Sequence, residues 1–409
     1  MKKITEIYWK LFLVFGMVFY YLLYLLFYYG KYFFNNKYQH GTVLYLAAFF
    51  PSNAGFNWRV VKWAEILSLN GHKVEVATAI SAEEFYYLRS KNYSKYLLLF
   101  LHRRFWQVIK SFNYEIVIVR REILPYNDYG DLFLERLLIR YKPNSILDFD
   151  DDISAAKSEP RKIVNKFGRL LKENGNKFND SLSLYSNFIV ASSYLVNLVL
   201  NTNTRISSSR INFIPTCVDY NLYKAKVYSP NSELLRFGWI GGEHNYNQLV
   251  PVIKVLDKIY KNNFKLLVIG GQKFEEKSTF EIEFIKWSLK DEVENLLSID
   301  VGLMPLIHDK EAMGKGGFKL IQYMGLGIVS IASAITINLE IVDHNVDAIL
   351  VNNAEDWEIA LQRVLSDDFD FCSMGASARY KAEGQLTFAA NTFKYLNFIS
   401  NVRNSRYPE

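Results

Sequence analysis

The sequence predicts an α/β fold in which two doubly wound, Rossmann-like domains follow an N-terminal hydrophobic helix. Three observations predict it. From Thr42 onward, short apolar runs alternate with longer amphipathic segments, the pattern of parallel strands covered by helices on both faces. That pattern stops in a polar stretch, KAKVYSPNSEL, and restarts with RFGWIGG. Ahead of both lies an uncharged apolar run, Leu11 to Tyr29.

The first series of strands is TVLYLAA, KVEVATA, EIVIV at 115–119, SILDF at 145–149, NFIVA at 187–191 and INFI at 211–214. The second is RFGWIGG, FKLLVIGG, EIEFI, DVGLMPL, IVSIA and AILV, followed by helical segments at 357–365, 369–383 and 387–400. The expected divisions are a hydrophobic segment at 1–40, a first domain at 41–228, a second at 229–385, and a C-terminal helix at 386–409 that crosses back to the first domain. A chain of 409 residues accommodates two domains of roughly 180 residues each.

Composition narrows the class without choosing a function. Half of the residues are hydrophobic and 22% are charged, which suits a packed body rather than disorder. The net charge of +6 suits an anionic partner such as a phosphate, a nucleotide or an acidic lipid. Cys217 and Cys372 stand far apart without a CxxC or a Cys/His cluster, so neither a disulfide framework nor a zinc site is indicated.

As a helix, the run Leu11 to Tyr29 reaches roughly 28 Å, about the hydrocarbon thickness of a bilayer. A cleaved signal peptide fits less well, because the run is long and GKYFFNN follows it without a small-residue cleavage site. Tyr20, Tyr24 and Tyr28 share one helical face, which a lipid-exposed span would not favour at mid-depth. The helix therefore has alternatives to crossing: lying in the interface, re-entering, or packing on a partner protein. Lys2, Lys3 and Lys10 precede the run and Lys31 and Lys37 follow it, a count that weakly favours an N-terminus inside.

Two such domains in series imply a cleft lined by loops at the carboxyl ends of the strands. Gly238, Gly241 and Gly242 end the first strand of the second domain before a helix, where glycines permit close backbone approach and free amides can meet a phosphate. The richest stretch is Asp300-Val-Gly-Leu-Met-Pro-Leu, then Gly314-Lys315-Gly316-Gly317-Phe318-Lys319-Leu-Ile-Gln322-Tyr-Met. A strand there leads to a glycine-rich, lysine-bearing loop that opens a helix. Pyrophosphate binding needs backbone amides and a fixed cation, and Lys315 and Lys319 supply the cation. The loop is not GxxxxGK[ST], which disfavours a P-loop kinase.

This stretch resembles the donor-binding signature of family-4 retaining glycosyltransferases of the GT-B fold, in particular bacterial members with a GK-x-GFK-LxQYM pattern. The likeness extends over roughly 42–400 through Arg120-Arg121-Glu122, Asp148-Phe-Asp-Asp151, Ile214-Pro-Thr216, Val218-Asp219, Asp356-Trp357 and Met374-Gly375. It implies a GT-B architecture, two Rossmann-like domains facing across a cleft, with an acceptor domain first and a nucleotide-sugar donor domain second. The donor would contact Gly238, Gly241, Gly242, Trp287, Gly316, Gly317, Phe318 and Gln322, with the ribose at Gln322. Many relatives carry two glutamates eight positions apart, where this chain has Gly314 and Gln322. They also often place an Arg and a Lys after the first strand of the donor domain, where Gly242 to Gln248 has neither, so Lys315 and Lys319 take over the diphosphate.

In the first domain, Asp148-Phe-Asp-Asp-Asp152 closes a strand, and Asp150 or Asp151 stands where similar enzymes carry a His-Asp pair. Asp150, Asp151, Lys315 and Lys319 are thus the catalytic candidates. The bland reading is that Asp152 or Ser154 caps the next helix. A divalent metal is not expected, nor any cofactor beyond the donor substrate. Asn53, Gly55, Arg59, Arg120 and Arg121 are candidates for an acceptor phosphate, with ion pairing as the alternative for the arginines. The segment 91–110, with Lys95, Arg103, Arg104 and Lys110, reads as an amphipathic helix resting on anionic lipid or packed on the sheet; the basic run 161–177 is similar. No aromatic platform supports nucleic acid as a partner.

The expected function is transfer of a sugar from a nucleoside diphosphate sugar to a membrane lipid or lipid-linked acceptor, such as a cell-envelope glycan precursor, at the inner face of the plasma membrane with the catalytic domains cytoplasmic. The alternatives are a catalytically weak scaffold that binds a partner protein through the tyrosine-striped helix, or a nucleotide-sugar epimerase of the same fold.

Overall fold

The computed structural model describes residues 2–30, 38–48, 50, 54–125, 131–155, 177–228, 234–261, 263–270 and 277–405. Asn53 and the basic stretch 161–176 lie outside them. The chain divides into two compact units: Met1–Ala191 with Leu195–Phe213 and Lys394–Glu409, and Ser192–Tyr194 with Ile214–Phe393. The second unit begins at Ile214 because the segment after it is tied into that unit's own backbone. Val218 N–H donates to Leu386 O, Phe388 N–H to Val218 O, and Lys226 N–H to Leu326 O.

The first unit contains strands β1 (Gln39–Ala47), β2 (Lys73–Thr78), β3 (Tyr114–Arg120), β4 (Ile146–Phe149), β5 (Asn187–Val190) and β6 (Ile211–Phe213) in one sheet of order β2-β1-β3-β4-β5-β6. The second contains β7 (Leu235–Gly241), β8 (Phe264–Gly270), β9 (Ile282–Lys286), β10 (Val301–Met304), β11 (Val329–Ser333) and β12 (Ile349–Val351) in the order β12-β11-β10-β7-β8-β9. All of these strand pairings are parallel. Each sheet therefore has one point where winding reverses, between β1 and β3 and between β7 and β10, and a crevice opens at such a point beyond the carboxyl ends of the strands.

In the second unit that crevice has a visible cause. The strands β7 and β10 pair only at Phe237–Val301 and Gly238–Gly302. Beyond them the Tyr323 hydroxyl takes over: Ile240 N–H donates to it at 3.3 Å, and it donates to Leu303 O at 3.4 Å. The Tyr323 ring reaches this place by lying on Gly302, where a Cβ would come within 2.5 Å of it. Asp300, just before β10, is a clamp at the opposite, amino-terminal edge. It accepts from Arg236 N–H, Nε and Nη2 at 2.8–2.9 Å and pairs with Lys226 Nζ at 3.0 Å. Burial pushes the Asp300 carboxyl up, and these two cations bring it below the ordinary range.

The hydrophobic N-terminus is a helix, Lys2–Tyr29, packed along the helices Tyr93–Ser111 and Phe133–Tyr141 of its own unit. The tyrosine face is the inward one. Tyr20 and Tyr24 are buried, the Tyr20 hydroxyl bonds His102 Nδ1, and the Tyr24 ring meets Phe133 edge-on. Of the basic residues on Tyr93–Ser111, Arg104 is fully buried and donates to Ala47 O and Ala77 O at the ends of β1 and β2. Arg103 pairs with Glu84, and Lys110 with Glu75. This helix packs on the unit and does not present those three charges as one basic face.

Replacing Gly302 by Ala should push Tyr323 off its seat and destabilise the second unit by about 1–3 kcal/mol, the usual range for overpacking. The midpoint of urea unfolding measures it.

Candidate functional site

At the reversal point of the first unit, the predicted cations and carboxylates come together as one buried network. Arg59 is carried by the irregular turn Asn57–Val61 and is 1% exposed; its Nη2 meets Asp148 Oδ1 at the end of β4. Arg120, the last residue of β3, reaches Asp148 at 3.5 Å and Asp150 at 2.8 Å. Arg121 adopts a left-handed backbone (φ 71°), donates its N–H to Asp148 O at 2.8 Å and pairs with Glu122 at 3.2 Å. Beneath them the Tyr45 and Tyr395 hydroxyls share a 2.6 Å hydrogen bond, and Trp63 stacks on Tyr395 at 4.0 Å. Arg59 and Arg120 are therefore engaged by Asp148 and Asp150 inside the unit rather than held out for a phosphate. Asp152 accepts from Ser154 N–H and Oγ, the local capping role. Gly55 sits in the short helical turn Ala54–Phe56 after β1, and Asp151 is half-buried beside the network.

At the reversal point of the second unit, Gly238 lies mid-strand, and a Cβ there would strike Ile299 at 2.2 Å, so packing alone requires a glycine. Gly241 ends β7; a Cβ on it would lie 2.5 Å from the Trp239 ring and 2.9 Å from Lys319 Nζ. The Lys319 ammonium rests 4.1 Å from the centre of that ring. Gly242 precedes the short turn Glu243–Asn245 with ordinary backbone angles. Gly317 begins the helix Phe318–Leu326 in a left-handed conformation (φ 68°) that favours glycine, and as a glycine it offers no side chain of its own to cap the helix start. Gly316 is buried, Phe318 is half-buried, and Lys315 pairs with Glu311 at 3.0 Å.

Trp287 and Gln322 meet through a residue that sequence reasoning passed over. The Glu292 carboxylate accepts from Trp287 Nε1 at 2.7 Å and from Gln322 Nε2 at 2.9 Å, and Gln322 Nε2 also donates to the Tyr223 hydroxyl at 2.9 Å. Gln322 is 2% exposed, and both of its amide N–H groups are used inside the protein. Burial and the adjacent Glu292 push the Tyr223 hydroxyl up. An acid five positions beyond a candidate tryptophan was the available clue to Glu292. Among the described residues, no group of three or more His, Cys, Asp or Glu is arranged to hold a metal ion.

Residues 235–367 match the family model described as Glycosyl transferases group 1. Solved structures agree over nearly the whole chain. A glycosyltransferase from Rickettsia africae superposes with a TM-score of 0.61 at 15% identity, covering 91% of this chain and 100% of its own. Anabaena Alr3699/HepE in complex with UDP and glucose gives 0.61 at 12%, covering 88% and 100%. WaaG, a glycosyltransferase involved in lipopolysaccharide biosynthesis, gives 0.57 at 13%, covering 88% and 99%. No curated protein matches by sequence. The fold is thus GT-B, and the second unit carries a glycosyltransferase domain: the chain is an enzyme of the glycosyltransferase class.

Asp150 supplies a pH test. Burial raises its pKa, but Arg120, Arg59 and Arg121 outweigh burial and hold the carboxyl well below the ordinary Asp value. A depressed folded pKa contributes stability that is fully present above the unfolded value near 4 and is lost as pH falls through the folded one. Asp150→Asn should therefore be less stable than the parent at neutral pH, and the difference should shrink as pH falls from about 5 toward 2, read from urea midpoints.

Proposed function

We propose that the chain transfers a sugar from a nucleoside diphosphate sugar to a membrane-associated acceptor, a lipid-linked saccharide or another cell-envelope glycan precursor, with retention of anomeric configuration. The observation that carries the reading is the Lys319 ammonium on Trp239, beside Gly241 at the carboxyl end of β7. A diphosphate here would meet that cation, the glycine backbone of β7 and the first-turn amides of Phe318–Leu326, with Lys315 on the same loop. The Anabaena relative in complex with UDP and glucose, and WaaG in lipopolysaccharide biosynthesis, suit this reading.

In the transfer, the bond between the anomeric carbon and the diphosphate oxygen breaks, and the acceptor oxygen bonds the same face of the sugar. The acceptor proton passes to the departing phosphate oxygen. Lys315, Lys319 and the helix amides stabilise the charge that develops on the diphosphate, so no metal or other cofactor is assigned. Trp287 offers its ring to the base, and Glu292 acts as a positioning residue that fixes Trp287 and Gln322. Asp150 and Asp151 are assigned to the acceptor hydroxyl or donor sugar. The catalytic domains work on the cytoplasmic side, where nucleotide sugars are made.

The engagement of Gln322 by Glu292 and Tyr223 favours a second reading, a scaffold that keeps the fold without transfer. Incubation with UDP-, GDP- and CMP-sugars, with and without membrane extract, separates the two. Acceptor-dependent nucleotide release supports transfer, and failure to bind any nucleotide supports the scaffold. Lys319→Ala should lower kcat on the order of 100-fold while leaving the melting temperature in place. Glu292→Gln should raise KM for the donor about tenfold with kcat nearly unchanged, as expected for loss of roughly one hydrogen bond's worth of positioning.

A further inference from the structure

We propose that the helix Lys2–Tyr29 attaches the chain to an anionic lipid surface by lying in its plane, with one face on the protein and the other in the lipid. The helix is long and apolar enough to cross a membrane. Its two faces differ in a way that crossing does not explain.

The inner face is fastened along nearly the whole length. The Trp9 ring carries Lys95 Nζ at 5.1 Å, and Gly16 leaves room for Leu98, whose Cδ1 would lie 2.3 Å from a Cβ there. Tyr20 bonds His102, the carbonyl of Phe27 accepts from the Tyr141 hydroxyl at 2.6 Å, and Tyr28 lies 5.6 Å from the Arg140 guanidinium. Pulling this helix into a bilayer as a span would break those contacts or drag Lys95, His102 and Arg140 into hydrocarbon, which such groups strongly resist.

The outer face is apolar without interruption. Leu11, Phe12, Phe15, Phe19, Leu22 and Leu26 are each 51–69% exposed, and their spacing sets them within one stripe about 100° wide. A row of this length facing water is what an interfacial helix shows before it meets lipid. Trp106, 47% exposed, stands on the neighbouring helix beside Tyr20, the position of an interfacial aromatic. Charge selects the occupant. Lys10, paired with Glu6, and Lys95 and Arg140, which meet the Trp9 and Tyr28 rings, place positive charge beside the helix; Lys2 and Lys3 precede the stripe, and Glu6 is the only acid in the first forty residues. An excess of positive charge beside an apolar stripe fits acidic headgroups around acyl chains.

The inference rests on the membrane reading above but not on transfer chemistry. The full chain is tested by co-sedimentation with phosphatidylcholine vesicles with and without phosphatidylglycerol. Binding should rise at least tenfold with the anionic lipid, and Phe15→Glu combined with Leu22→Glu should abolish it while the melting temperature of the body holds. Vesicle binding unchanged by the double substitution, or no binding by the parent chain, overturns the proposal, as does a stripe that instead forms a dimer of the chain, seen by light scattering. Topology is read in inside-out bacterial membrane vesicles from Thr5→Cys and Leu69→Cys, each with both native cysteines replaced by serine. Equal labelling of the two by an impermeant maleimide is expected. Labelling of Thr5→Cys only after the vesicles are opened would show a span and overturn the in-plane placement. Loss of nucleotide binding with intact vesicle binding would defeat the transfer reading alone.

Discussion

The Tyr323 hydroxyl keeps apart two strands that a continuous parallel ladder would have joined. A parallel pair bonds at even intervals, so stopping after two residues leaves Ile240 N–H and Leu303 O without ladder partners. Buried backbone groups left unmatched would each cost free energy, and the phenol serves both. The Tyr323 ring lies where a Cβ on residue 302 would crowd it, which ties Gly302 to Tyr323. The splay opens the carboxyl edge, and Gly241, Trp239 and Lys319 gather there. Tyr323 itself lies in the helix that Gly317 starts, so the element that wedges the strands also carries the lysine.

The first unit meets its reversal point differently, with charge rather than with a neutral wedge. Three arginines and two aspartates converge where loops after β1, β3 and β4 meet. Removing ions from water is expensive, so such a cluster is stable only when its members pair closely. Arg59 and Asp148 are almost wholly buried, whereas Asp150 and Arg121 keep side-chain exposures of 20% and 24%. The network thus has a closed interior that fixes the loops and a partly exposed rim at Asp150 and Arg121. The left-handed backbone of Arg121 turns the chain sharply at the end of β3 and belongs to that rim.

The alternation of apolar runs made both sheets legible, because parallel strands buried on both faces must be short and continuously apolar. The glycine-lysine loop was legible for a similar reason: Gly317 needs a left-handed backbone, and few other residues adopt it cheaply. What the letters do not show is which partner each charge finds. Arg59 and Arg120 left two readings open in the sequence, phosphate ligand or ion pair, since a string of letters shows a charge without its counter-charge; folding pairs them with Asp148 and Asp150. Arg104 looks like a solvated or lipid-facing cation, yet it caps the carbonyls of β1 and β2. Asp300 looks like the start of the donor segment, yet it closes the far edge of the sheet. Glu292 and Tyr223 went unnoticed because the link from Trp287 to Gln322 exists only after folding.

The N-terminal helix shows the same limit from the other side. Its tyrosines argued against a simple span because hydroxyls need partners, and Tyr20 finds one in His102. Its flanking lysines, three before the run and two after, argued for opposite sides of a membrane and so for a body away from its nucleotide donor. If the helix lies in plane, as proposed, its start and the body face the same side of the membrane. On that placement the lysine count would report attraction to acidic headgroups rather than orientation, which removes the conflict between the charge rule and a cytoplasmic donor. The same packing that buries the tyrosines turns the aliphatic and phenylalanine side chains outward, so which face of the helix is exposed is set by the fold of the first unit and not by helix length.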